Sequence, residues 1–74
     1  MPRFFFDLQR DGVIEPDRDG VHLPSLAAAK AEAARAAVDM IRDAVPADTP
    51  GIVLAVRDEH GNRVCEVEAL VRVR

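Results

Sequence analysis

SLAAAKAEAARAAVDMIRDAV, residues 25–45, is the stretch that reads as a helix, and the short β-like segments around it need its surface to lie against. Ser25 follows Pro24 and precedes a run of helix formers. Its hydroxyl can accept from a free amide of the first turn. Ala28 stands where a capping box needs Glu or Gln, so half of that device is present. Alanine loses least on entering a helix, and Pro46 stops the helix near Val45. At about 100° per residue, Leu26, Ala33, Ala37, Met40, Ile41 and Ala44 share one face, while Glu32, Arg35, Asp39, Arg42 and Asp43 share the other. Such an apolar stripe of small residues suits a helix lying close on a single sheet. Lys30 projects near its centre line, either as a stem packed on the core with its ammonium in water or as a cation offered to a partner.

Before the helix, Arg3 to Gln9 alternates as a strand with Phe4, Phe6 and Leu8 toward the core and Phe5 pointing away with Asp7. Asp11-Gly12 is a hairpin turn, and Val13 to Glu15 is the returning strand. Pro16 weakens that ladder and marks an edge or a bend. Asp17 to Gly20 is a polar turn, after which Val21-His22-Leu23 resumes the strand. Beyond the helix, Pro46 to Gly51 is a loop, Ile52 to Arg57 a strand, Asp58 to Asn62 a turn with Gly61 left-handed, and Arg63 to Val73 the last strand. The expected fold is α+β, order β-β-α-β-β, a single domain with a small antiparallel sheet and one helix on one face.

That turn sets Val56 opposite Val64, Ala55 opposite Cys65, Leu54 opposite Glu66 and Val53 opposite Val67. One face then carries Val53, Ala55, Cys65, Val67 and Ala69. The other carries Ile52, Leu54, Val56, Val64 and Leu70, with Glu66 and Glu68 among them. One helix covers one face, and soluble monomers rarely leave a large apolar face bare. The expectation is a homodimer or a protein partner, either seated on the face carrying Phe5, Ile52, Leu54, Val56, Val64, Glu66 and Glu68 or paired along an edge strand. A register one residue off would instead leave the second face polar.

Size and composition narrow the rest. With 74 residues the chain is one small domain that leans on a good core or a partner. Cys65 is the only cysteine, so no disulfide forms within the chain. Cys65, His22 and His60 lack zinc-ligand spacing. Glu15, Asp17, Asp19 and Gly20 resemble part of a calcium loop, but Leu26 occupies the place of its bidentate carboxylate. Asp58, Glu59, His60 and Asn62 read as turn residues. Nothing near His22 in sequence reads as a nucleophile with an orienting acid, Cys65 reads as a small buried hydrophobe rather than a nucleophile, and no glycine-rich phosphate loop is present. No enzyme activity, cofactor, metal or small-molecule substrate is expected. The net charge of −3 argues against a dedicated nucleic-acid binder, although Arg57, Arg63, Arg72 and Arg74 gather at one end or edge of the sheet as a contact or a solubilising rim. There is no signal-peptide pattern and no apolar run of spanning length, so a soluble cytoplasmic protein is expected.

Two resemblances enter on particular residues. Pro2-Arg3-Phe4-Phe5-Phe6-Asp7, Asp11-Gly12, Asp17 to Gly20, Leu23-Pro24, Ala29 to Ala33 and Val56 to Gly61 resemble a family of short bacterial proteins of unknown function. The likeness covers nearly the whole chain. It implies the same turn-helix-hairpin order and brings no activity or site residues. More loosely, Asp11-Gly12, Pro16-Asp17, Gly20 and the helix from Leu26 resemble the N-terminal domain of HicB-type antitoxins. That likeness implies a partial RNase H-like sheet that binds a ribonuclease toxin and self-associates. The separate DNA-binding domain of those antitoxins is not matched.

Overall fold

The computed structural model of the protein describes residues 1–44 and 51–71. The elements run β1 (Arg3–Arg10), β2 (Val13–Glu15), β3 (Val21–His22), α1 (Leu26–Ala44), β4 (Ile52–Arg57) and β5 (Arg63–Ala69). This is the expected α+β order, with Val21 and His22 forming a short strand of their own. Val45, the stop at Pro46, Arg72, Val73 and Arg74 lie outside the described residues.

Every pairing is antiparallel, in the order β2-β1-β4-β5, with β3 also on β1. β4 pairs with Phe5 to Arg10 of β1. β2 pairs with Leu8 to Arg10, and β3 with Arg3 and Phe4, so these two short strands follow one another along the opposite edge. Asp11 and Gly12 have φ of 53° and 77°, the two left-handed residues of a type I′ hairpin turn.

The helix begins as the sequence implies. Ser25 Oγ accepts the Ala28 amide at 3.1 Å, and the Ala29 amide donates to the Ser25 carbonyl at 3.1 Å. Ala29, Ala33, Ala37 and Ile41 are buried at four-residue spacing, and the helix lies over β4 and β5. The methyl stripe lets it approach closely. Phe4 and Val56 pack with Ala29 and Ala33, while Ile52 and Leu54 pack with Ala37 and Ile41. Leu26 departs from expectation: it is 39% exposed because it lies in the first turn, ahead of the Ala29 contact with Phe4. Lys30 is exposed.

The register of β4 on β5 also departs from expectation, and this changes the sheet's faces. Arg57 pairs with Arg63 as the turn dictates, but Val56 then pairs with Cys65, Ala55 with Glu66 and Leu54 with Val67. A bulge between Val56 and Arg57 absorbs Val64 as an extra residue. Ile52, Leu54 and Val56, expected on the open face, are 1%, 2% and 0% exposed beneath the helix, joined by half-buried Cys65, Val67 and Ala69. Val64 is half-buried and packs against the same core. The physical reason is charge. Without the bulge, Glu66 and Glu68 would stand beside Leu54 and Ile52 under the helix, where an unpaired carboxylate costs several kcal/mol. With it, both are exposed on the outer face beside Ala55 and Val53.

Candidate interaction surface

The outer face has a closed end and an open end. Pro16 ends β2 and leaves the edge of β1 without a strand partner between Leu8 and Phe4. Asp17 fills that gap. Its Oδ2 accepts the Phe6 amide at 3.1 Å, and its Oδ1 accepts the amides of Asp19 and Gly20, each at 3.1 Å. In return the Asp17 amide donates to Asp7 Oδ1 at 2.9 Å. Arg57 of β4 closes the cluster: its Nε meets Asp7 Oδ2 at 2.6 Å, and one terminal nitrogen reaches Asp7 Oδ1 and the Asp17 carbonyl at 3.1 Å each. The guanidinium carbon lies 4.9 Å from the Phe5 ring centroid. A Cβ on Gly20, whose φ is 72°, would stand 2.8 Å from Arg3 Cγ and 2.9 Å from Phe5 Cε1. The 17–20 turn therefore presses on Phe5, and only glycine fits there.

Electrostatics follow from this geometry. The hydrogen bond from Arg57 holds the Asp7 carboxyl below its ordinary value, and the Asp7 carboxylate raises Arg57 in turn. Burial pushes Asp17 up, but the Gly20, Phe6 and Asp19 amides together outweigh it and leave the carboxyl lowered. Asp7, Asp17 and Arg57 are thus consumed by one another and by backbone amides. They lock the turn onto the sheet.

The open end lies at the β1–β2 hairpin. The helix sits over β4 and β5, so among the described residues β2 is exposed and no helix covers it. Val13 and Ile14 are 60% and 63% exposed, Val13 on the helix side and Ile14 on the outer side. Across the outer face, Ile14 neighbours Gln9, then Val53, then Glu68. Gly51 stands against Leu70, which is also exposed. A shallow cleft of about 220 Å³ lies here, with Gln9, Gly12, Gly51, Val53 and Glu68 among its walls.

The residues expected to form a contact face are thus divided. Ile52, Leu54 and Val56 are core, and Val64 packs on it. Phe5 is half-buried between Gly20 and Arg57, while Glu66 and Glu68 stand exposed on the outer face. Of the four arginines considered for nucleic acid, Arg57 is tied to Asp7, Arg63 pairs with Glu66 at 3.2 Å, and Arg72 and Arg74 lie outside the described residues. His22 takes Arg3 on one ring nitrogen and the Met1 carbonyl on the other, at 3.2 Å and 3.1 Å. Cys65 is half-buried against the core. Asp58 accepts the His60 and Asn62 amides at 2.9 Å each, which makes it a turn residue. Among the described residues, no three His, Cys, Asp or Glu side chains gather as metal ligands, and no helix is long and apolar enough to cross a membrane. Sequence reasoning missed the Asp7–Asp17–Arg57 cluster, whose members are 10 and 40 residues apart. The signal available was Pro16-Asp17 followed by Asp19-Gly20 beside an outward-facing Asp7.

No curated protein and no solved structure matches the chain. A family model described as a domain of unknown function (DUF6894) matches residues 3–70, nearly the whole length. The chain belongs to the DUF6894 family.

Proposed function

We propose that this protein is a small non-enzymatic interaction module whose contact surface is the β1–β2 arm at the open end of the sheet. The observation that carries this reading is the exposure of Val13 and Ile14 on an edge strand that no other described element covers. Exposed β-branched residues on an unprotected edge are a template for another chain. The other end of the outer face is unsuited, because the 17–20 turn and the Asp7–Arg57 pair already occupy it. The titratable groups lowered or raised by their surroundings are all engaged in turn or strap contacts, which favours binding over catalysis. An antitoxin-like role is one case of this reading, with a ribonuclease-type toxin as the bound protein. Nucleic-acid contact fits less well, since Arg57 and Arg63 already face carboxylates.

The test is solution mass by light scattering, together with capture from the native cell, for the wild type and Ile14→Asp. The substitution should abolish self-association or capture while the far-UV circular dichroism stays unchanged. Equal mass and equal capture for both proteins would overturn the reading.

A further inference from the structure

The β1–β2 arm has features that specify its occupant, granted that it is the contact surface. Its two-residue type I′ turn makes Arg10 and Val13 the hydrogen-bonded pair next to the turn. Val13 and Glu15 therefore direct their backbone groups inward to β1. Ile14 directs its N–H and C=O outward to the free edge. Pro16 carries no N–H and ends the strand. The open edge is thus one donor and one acceptor on the same residue, and an antiparallel copy of itself satisfies both.

The side chains agree. Leu8, Arg10, Val13 and Glu15 share one face by register, and Gln9 and Ile14 share the other. Arg10 and Glu15 are exposed and have no ion-pair partner among the described residues. We propose that β2 pairs antiparallel with β2 of a second copy of this chain about a twofold axis at Ile14, with Arg10 of each copy facing Glu15 of the other. In that arrangement Val13 lies beside the partner's Glu15, and Arg10 lies one strand further in. Two strand spacings, about 10 Å, separate the Arg10 and Glu15 backbones, a gap that the two side chains span over Val13. On the other face the two Ile14 side chains meet, flanked by the two Gln9 side chains. The result is one continuous sheet with both helices on the same side.

The opposite edge lacks this self-complementarity. β5 carries exposed Arg63, Glu66 and Glu68, and antiparallel pairing about its middle would bring the glutamates of two copies together.

The experiment is a charge reversal read by light scattering on the full chain. Arg10→Glu and Glu15→Arg should each weaken the wild-type dimer by about tenfold or more, because each places like charges at two symmetric positions. An equimolar mixture of the two variants should recover the dimer, since every reversed charge then meets its opposite. If a reversal disturbs the circular dichroism, Arg10→Gln and Glu15→Gln replace it, and each should weaken the dimer to a smaller degree. A wild type that stays monomeric up to about 1 mM, a dimer indifferent to both variants, or a mixture that stays monomeric overturns the proposal. A monomeric wild type that still captures a cellular protein through Ile14 removes the second copy as occupant and leaves the arm as the contact surface. Ile14→Asp without effect on mass or capture removes the arm itself.

Discussion

Replacing Asp17 by Ala tests whether one side chain stands in for a missing strand. The substitution takes the acceptor from three amides, those of Phe6, Asp19 and Gly20. Hydrogen bonds to a charged acceptor contribute about 1.5–3 kcal/mol when water cannot replace them, and much less when it can. The Asp19 amide lies in an exposed turn and recovers most of its loss from water. The Phe6 amide is half-buried beneath the 17–20 turn and recovers less. The expected cost is about 2–4 kcal/mol, against about 4–11 kcal/mol of total stability for a chain of this length. Urea unfolding followed by far-UV circular dichroism measures it, since the chain has neither Trp nor Tyr to follow by fluorescence. Asp17→Asn, which keeps one oxygen acceptor, should lose less than Asp17→Ala.

The same substitution has a pH signature. Asp7 and Asp17 both lie below their ordinary value of 3.8 in the folded chain, Asp7 through the Arg57 hydrogen bond and Asp17 because its amide donors outweigh burial. As pH falls, the unfolded chain therefore binds protons first. The stabilisation from these carboxylates is whole above about pH 5 and fades as pH drops through 4 and below. Wild-type stability should fall more steeply than that of Asp17→Ala between about pH 5 and pH 3, so the two should converge in acid. A loss under about 0.5 kcal/mol at neutral pH, or parallel acid profiles, would refute the reasoning.

Two further outcomes follow from packing. Gly20→Ala should destabilise by about 1–3 kcal/mol in the same urea assay, because its Cβ meets Phe5 and Arg3 at under 3 Å in a left-handed backbone. Leu54→Ala should cost about 2–5 kcal/mol and bring the chain to the margin of folding at 25 °C, since Leu54 is 2% exposed in a thin core. The same truncation at the exposed Ile14 should leave the urea midpoint of the monomer within about 0.5 kcal/mol.

Much of this fold is local and was therefore legible in the sequence. The helix follows from alanine content, the Ser25 cap and four-residue spacing. The first hairpin follows from Asp11-Gly12, and β4 follows from its unbroken aliphatic run. Each depends on interactions within a few residues, and these hold in any surroundings. The Gly61 turn was equally legible: Asp58 accepts the Gly61 amide at 3.1 Å, and Gly61 is left-handed at φ 83°. The faces of the sheet were not legible. Turn chemistry alone set Val56 against Val64, and the bulge that moves it to Cys65 has no signature in residue type. It arises because the helix makes one face dry, and only the shifted register keeps Glu66 and Glu68 out of it. The Asp7–Asp17–Arg57 cluster was hidden for a related reason, because its three members meet only once β1 lies between the 17–20 turn and β4. Which apolar residues are covered was decided the same way. Val13 and Ile14 are apolar residues of the returning strand, but the helix lies over β4 and β5 and leaves them in water. Local sequence determines which elements form. Where a single helix comes to rest determines which side chains stay exposed.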